Sequence, residues 1–247
     1  MSGAVLILGA TTGIGRAVAR ELARTRRSLV VAGRDLEELQ TLAADLRVRY
    51  GVGAVACRFD ARASEGLGAF FRECVEAAGG RLEGVVLCFG YAGSQQRAES
   101  DWEETVAIIQ TNFLSAVRLL NLAADHLKEA GAGFICGITS VAGDRGRQSN
   151  YIYGSAKAAL GVYLQGLRDR LSGAGVTVTT IKPGFVDTPM TFGRPGLRGL
   201  ASPQRVARVI RRAIERGRAV VYVPWFWRWI MLFLRLVPER IFRRLRL

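Results

Sequence analysis

Histidine is almost missing from this chain: His126 stands alone in a helical run without a partner motif, so a structural or surface role is expected for it. Histidine-based catalysis and histidine-rich metal sites are poor readings as a result. Cysteine is sparse as well. Cys57, Cys74, Cys88 and Cys136 lie far apart inside apolar stretches, with neither a zinc-ligand spacing nor a disulfide framework, and read as buried small hydrophobes in a reducing compartment. No metal site is expected. The beginning, Met1-Ser2-Gly3 and then a strand-like run over 4–8, shows no basic segment and no cleavage site, so no export is expected. A linker and an internal repeat are also lacking, which leaves one domain with a C-terminal extension.

What is present points to an α/β fold. Of the 247 residues 49% are apolar, enough for a sizeable core, and the 29 glycines fall mostly at the ends of apolar runs, where strand-to-helix turns need them. Runs rich in Val, Ile and Leu alternate with amphipathic helical stretches, the pattern of a parallel sheet covered on both faces. Strands are predicted near 4–9, 28–33, 53–59, 83–89, 133–138, 176–182 and 219–223, and a helix with a broad apolar stripe over 155–171. The net charge of +14 is uneven: from Arg205 onward twelve arginines face only Glu215 and Glu239. The basicity belongs to the tail rather than to the fold.

Directly after the first strand comes Gly9-Ala10-Thr11-Thr12-Gly13-Ile14-Gly15, opening a helix. Glycines at this spacing let the backbone turn tightly and approach a pyrophosphate, which then faces the helix N-terminus. A Rossmann-type doubly wound parallel sheet of about seven strands follows as the fold, with an ordinary glycine-rich turn as the bland alternative. The second strand closes on Gly33-Arg34-Asp35, where an acidic residue would favour a free ribose 2′-hydroxyl. Here a guanidinium takes the place, able to pair with a 2′-phosphate and stack on adenine, so NADP(H) is preferred and NAD(H) remains open. Alternatively Arg34 is solvated, and Asp35 caps the next helix. Asp60 either accepts from the adenine amino group or forms a turn.

At the other end, Ser140 follows the fifth strand, and thirteen residues later comes Tyr153-Gly154-Ser155-Ala156-Lys157. Tyr and Lys four apart share a helix face, so the ammonium favours the phenolate and brings a phenol of pKa about 10 toward a useful range. Lys157 can also hold the nicotinamide ribose. Ser140 would donate to the substrate oxygen, and Asn112 is suited to bend its helix and hold a water leading protons to Lys157. These residues resemble the short-chain dehydrogenase/reductase family from about Val5 to Tyr222. The resemblance implies that Asn112, Ser140, Tyr153 and Lys157 form a catalytic tetrad. It also implies that Pro183-Gly184-Phe185-Val186-Asp187-Thr188 holds the nicotinamide, Val186 through its backbone and Thr188 toward the phosphates; a plain post-strand turn is the alternative for Pro183 and Gly184. Gly90 joins the cofactor-contacting positions. Two departures stand out: Leu8 replaces the usual threonine before the first glycine, and Phe89-Gly90-Tyr91-Ala92-Gly93 replaces the usual Asn-Asn-Ala-Gly, losing an amide that braces the sheet.

Beyond 1–223, the tail 224–247 carries Pro224-Trp225-Phe226-Trp227-Arg228-Trp229-Ile230-Met231-Leu232-Phe233-Leu234-Arg235-Leu236-Val237-Pro238. The residues between its prolines are too few and too charged for a span of roughly 20 apolar residues. Arg228 and Arg235 share one helical face and aromatics and aliphatics fill the rest, as in an amphipathic helix lying among headgroups. The membrane surface is the expected partner, with packing on a sister subunit as the alternative; nucleic acid is not expected. Arg145-Gly146-Arg147-Gln148-Ser149-Asn150 and the end of the tail are similar to family members that reduce a lipid-linked keto-sugar. That likeness implies a polyprenyl-phosphate ketopentose as substrate and a partner oxidase that makes it. Other lipidic ketones (ketoacyl, sphingoid or steroid) and a non-catalytic cofactor-binding scaffold are the competing readings. A homodimer or tetramer, paired through helices near 104–129 and 152–171 as in relatives, and a place on the cytoplasmic face of the membrane complete the expectations.

Overall fold

A computed structural model of the chain describes residues 3–63, 65–192 and 199–245. Seven parallel strands form one sheet in the order β3-β2-β1-β4-β5-β6-β7. They are β1 Ala4–Leu8, β2 Leu29–Gly33, β3 Ala54–Arg58, β4 Leu82–Leu87, β5 Gly133–Ile138, β6 Val176–Pro183 and β7 Val220–Val223. The helices are α1 Gly13–Ala23, α2 Leu36–Tyr50, α3 Leu67–Ala77, α4 Gln95–Ala98, α5 Trp102–Ile109, α6 Ser115–Ala130, α7 Tyr151–Leu171, α8 Pro203–Glu215, α9 Trp227–Leu236 and α10 Glu239–Phe242.

The continuous apolar strands are what a sheet buried on both faces requires. Alternation along β1 divides the core: Leu6 and Leu8 pack with Leu119, Leu160 and Leu164 under α6 and α7, while Val5 and Ile7 pack with Val18, Leu39 and Val206 under α1, α2 and α8. All four cysteines are buried and free. His126 accepts a hydrogen bond at Nε2 from the Leu82 backbone N–H (3.3 Å) and meets Phe71 edge-on, as expected of a structural residue. Because the chain leaves β1 toward β2 on one side and β4 lies on the other, a crevice opens at the carboxyl ends of these two strands.

Two local features matter for the site, and the first departs from the sequence-based expectation. The helix expected over 155–171 begins four residues earlier, at Tyr151. Nothing between Asn150 and Ser155 breaks it, and Gly154 lets the first turn settle on the 140s loop, since a Cβ there would lie 2.8 Å from the Ala142 carbonyl oxygen. Between α5 and α6 the helix widens into a π turn, Gln110–Leu114, placing the bend at Asn112. The combined helix Trp102–Ala130 is, among the described residues, the only one long and apolar enough to cross a membrane; here it lies on the sheet with Leu119, Leu120, Ala123 and Leu127 in the core.

The tail forms a helix, but not all of its apolar side chains are turned outward as the expected headgroup-lying amphipathic helix would have them. Met231 is buried and Trp227 packs edge-on against Phe185, so one face of α9 docks on the fold. The reason is space: Gly184 lacks the Cβ that would come within 1.9 Å of Trp227 Nε1. Trp225, Trp229, Phe233 and Leu236 are left exposed.

Candidate active site

The glycine turn after β1 is built for close approach. Gly9 takes a φ of +85°, and a Cβ on Gly15 would fall 2.1 Å from the Gly9 carbonyl oxygen, so neither position has room for a side chain. Thr12 caps α1: its Oγ1 accepts from Gly15 N (3.0 Å) and donates to Gly9 O (2.8 Å). Thr11 and Thr12 line two adjoining clefts. The smaller, about 110 Å³, is walled by Gly9, Arg34, Asp60 and Gly90; the larger, about 630 Å³, by Gly13, Ile14, Ser140, Tyr153 and Lys157.

At the adenosine end Arg34 is exposed at the tip of β2. Register brings Arg58 beside Gly33, and Arg58 Nε donates to the Arg34 carbonyl oxygen (3.3 Å). A second guanidinium thus joins the one singled out in the sequence; sequence reasoning missed it because only strand pairing places it there. Asp35 caps α2 by accepting from Glu38 N (2.9 Å). Asp60 forms a turn, its Oδ1 accepting from Arg62 N (2.9 Å), and still lines the smaller cleft.

At the catalytic end Ser140 caps a short 3₁₀ turn, its Oγ accepting from Ala142 N (3.1 Å). That turn lies directly on α7, because a Cβ on Gly143 would meet Ala158 N at 2.7 Å. Ser140 is thereby held beside the first turns of α7, where Tyr153 and Lys157 line the same cleft. Lys157 Nζ lies 5.8 Å from the centroid of the Tyr153 ring and donates to the Ile138 carbonyl oxygen (3.2 Å). Lys157 is buried, and desolvation pulls its amine down to a pKa of about 8. Beside it Cys88 is buried in the sheet, and burial pushes its thiol up to about 12.

Asn112 sits behind this wall rather than in it. Its Nδ2 donates to Ile108 O (2.8 Å) and Tyr91 O (2.6 Å), and its Oδ1 accepts from Tyr91 N (3.2 Å). The amide therefore braces the loop after β4, the same loop in which Gly90 and Tyr91 precede Ala92-Gly93 where the family usually has two asparagines. Gly90 lets it pack closely: a Cβ there would lie 3.0 Å from Asn112 Oδ1 and 3.2 Å from Lys157 Nζ.

Pro183, Gly184, Val186 and Thr188 form the opposite wall of the larger cleft. The Val186 carbonyl oxygen accepts from Thr191 Oγ1 (2.5 Å), which folds this segment over, and Thr188 reaches Gly13, whose Cβ would meet Thr188 Cγ2 at 3.1 Å. Arg147, Ser149 and Asn150 also line the cleft and were not among the expected site residues. Tail and cleft share this wall. Arg145 donates to the carbonyl oxygens of Leu234 and Val237 (the latter at 2.6 Å), pairs with Glu239 (3.1 Å) and stacks on Phe242 (3.9 Å to the ring centroid). Its neighbour Asp144 pairs with Lys182 and accepts from the Tyr222 hydroxyl (2.8 Å). Among the described residues no cluster of His, Cys, Asp or Glu could hold a metal ion.

A nucleotide crevice at a strand switch point joined to a Ser, Tyr and Lys wall defines an oxidoreductase of the dinucleotide-binding kind. The short chain dehydrogenase profile matches residues 3–194, and the chain belongs to that family of short-chain oxidoreductases. It is 38% identical over 241 residues to an uncharacterized oxidoreductase of Mycobacterium tuberculosis (strain ATCC 25618 / H37Rv), covering 98% of this chain and 96% of that protein. It is 30% identical over 224 residues to the ketoacyl reductase HetN of Nostoc sp. (strain PCC 7120), covering 89% and 77%. Among solved structures, the short-chain dehydrogenase from Sphingobium yanoikuyae in complex with NADPH superposes with a TM-score of 0.83 at 27% identity, covering 96% of each chain.

Proposed function

We propose that this protein reduces a ketone to a secondary alcohol with NADPH, at a membrane surface, and that its substrate is a lipid-linked keto-sugar. The observation that carries the reaction is the buried Lys157 amine beside Tyr153, on the cleft wall that also holds Ser140. A bound nicotinamide would supply hydride to the carbonyl carbon. Ser140 Oγ donates to the carbonyl oxygen, and Tyr153 Oη gives it a proton, which leaves a phenolate. Lys157 stabilises that phenolate and, with a pKa of about 8, can pass it a proton near neutrality. Asn112 is a positioning residue in this scheme, holding the loop against which Lys157 rests.

The two clefts fit a dinucleotide: glycines at 9, 13 and 15 leave the backbone open for a pyrophosphate at the start of α1. Arg34 and Arg58 would hold a 2′-phosphate, which favours NADP(H), the cofactor found with the Sphingobium relative, over NAD(H). Pro183, Gly184, Val186 and Thr188 would hold the nicotinamide end.

The lipid-linked substrate rests on the likeness of 145–150 and of the tail to decaprenylphosphoryl-2-ketoribose reductase. A partner oxidase that generates the keto-sugar belongs to the same reading, as does a place on the cytoplasmic face of the membrane. The exposed Trp225, Trp229, Phe233 and Leu236 support it. So does a groove of about 720 Å³ at the β7 edge, lined by Arg212, Arg216, Arg218, Arg228 and Trp225. Such a surface of arginine and tryptophan suits anionic headgroups, at about 1 kcal/mol per arginine near the surface. A sister copy docking there would set arginines against arginines. Reduction of a ketoacyl substrate is the second reading, favoured by the HetN relative.

Turnover of Tyr153→Phe tests the chemistry: a fall of at least about a hundredfold with unchanged NADPH affinity is expected for loss of a general acid, and unchanged turnover refutes it. Activity on ketoacyl thioesters with none on a prenyl-phosphate ketoribose would overturn the keto-sugar substrate. The tail is tested by replacing Trp225, Trp229 and Phe233 with serine, which spares its docked face. Sedimentation with phosphatidylglycerol vesicles should be lost; retention would refute the membrane role.

A further inference from the structure

Among the described residues the larger cleft is lined by no aspartate or glutamate, yet it carries two cations. Lys157 is one, and it is engaged with Ile138 and Tyr153. Arg147 is the other. Its Nη2 donates to the Val141 carbonyl oxygen at 3.3 Å, its Nε is buried with no hydrogen-bond partner, and among the described residues no carboxylate lies within 4.0 Å of it. A charge removed from water is ordinarily paired. Arg145, two residues earlier, is held by the Leu234 and Val237 carbonyls, Glu239 and the Phe242 ring, so Arg147 is the odd one out. Desolvation lowers the pKa of Arg147, and the charge of Asp144, which is engaged by Lys182 and Tyr222, offsets this only in part. Asn150, three residues before Tyr153, lines the same cleft, and its Oδ1 is likewise buried without a donor.

We propose that Arg147 and Asn150 form the recognition end of the substrate cleft, Arg147 binding a phosphate ester of the substrate and Asn150 Oδ1 accepting from a substrate hydroxyl. The substrate class is then a hydroxylated ketone that bears a phosphate group. This deepens the ketone-reductase reading and rests on it. The guanidinium fork suits phosphate oxygens, and the low polarity around Nε strengthens the pair. An amide acceptor selects hydroxyl donors, which a plain acyl or steroid ketone does not offer at that place.

The test uses the NADPH-loaded full chain and two probes that differ only by the phosphate, dihydroxyacetone phosphate and dihydroxyacetone, with binding measured by calorimetry. Wild type should prefer the phosphorylated probe by at least about tenfold, as a charge-assisted contact predicts. Arg147→Gln should reduce that preference to within about threefold while NADPH affinity is unchanged, and Arg147→Lys, which keeps the charge without the fork, should restore part of it. Thermal melting of Arg147→Gln should stay close to wild type, since a half-buried cation without an ion-pair partner is exchanged for one long hydrogen bond. Failure of dihydroxyacetone phosphate to bind wild type below about 10 mM, or an unchanged preference in Arg147→Gln, overturns the proposal. Loss of turnover in Tyr153→Phe is read independently, so the subsite can fail while the reductase reading stands, and the reverse.

Discussion

Burial of Lys157 has a consequence for stability that can be measured without substrate. Its amine titrates at about 8 in the folded protein against 10.5 for the free side chain, and desolvation is the leading cause. A basic group whose folded pKa is lowered opposes folding while it must be charged. The deficit is present in full below pH 8 and is relieved as pH rises from about 8 to about 10.5, amounting to about 3 kcal/mol at neutrality. Lys157→Met keeps the length of the side chain and removes the charge, at the cost of the hydrogen bond to Ile138, about 1 kcal/mol. The cofactor-free variant should therefore be more stable than wild type by about 2 kcal/mol at pH 7. At pH 10 the advantage should vanish. Urea unfolding at both pH values measures the difference, and titrating groups remote from Lys157 cancel between the two proteins. A stability difference that stays constant within about 1 kcal/mol from pH 7 to pH 10 would refute the burial argument and with it the low pKa on which the proton route depends.

Arg34→Ala and Arg58→Ala should each raise KM for NADPH by about tenfold or more and leave KM for NADH nearly unchanged, as expected for loss of a charged phosphate contact; equal effects on both cofactors would show that neither residue reads the 2′-phosphate. Gly184→Ala should undock α9, because the added Cβ has 1.9 Å to Trp227 Nε1; limited proteolysis within 224–240 should speed up, and an unchanged digestion pattern would mean that the contact is dispensable. Arg145→Ala removes two carbonyl contacts, an ion pair and a ring stack together, and should lower the melting temperature by several degrees. A melting temperature within a degree of wild type would show that the tail is held elsewhere.

The sheet was legible in the sequence because strands buried on both faces read as unbroken Val, Ile and Leu runs, and each predicted strand lies within about two residues of the observed one. Tyr153 and Lys157 were legible because a spacing of four puts two side chains on one helix face regardless of tertiary context. Other features depend on long-range placement, which local pattern does not carry. Arg58 comes beside Arg34 only through its register with Gly33. Arg145 and Arg147 look equivalent in the sequence, and only the docked tail separates a structural guanidinium from one in the cleft. Trp227 and Met231 read as part of a free amphipathic face because the glycine that admits Trp227 lies 43 positions earlier, at 184. Asn112 was expected at a helix bend, and a π turn stands there; that its amide holds Tyr91 follows from the unusual 89–93 loop and not from its own neighbours.

The attachments of α9 fall on the two segments that wall the reaction cleft. Trp227 rests on Gly184 and Phe185, and Arg145 belongs to the loop between Ser140 and Tyr153. A force that seats the outward aromatics in a lipid surface is thus borne by the segments that would hold nicotinamide and substrate. Met190 lines the cleft and is partly exposed, and Phe192, two residues further on, is 87% exposed, so apolar side chains stand along this edge segment. Under the proposed reading, a substrate with a phosphate head and a hydrocarbon chain would set its two ends of opposite character against Arg147 within the cleft and against the apolar edge. An acyl thioester carried by a soluble partner would have no use for the exposed tryptophans, and a small soluble ketose none for the apolar edge. The joint presence of an unpaired guanidinium inside and an aromatic surface outside is what favours a lipid-borne phosphate ester over either.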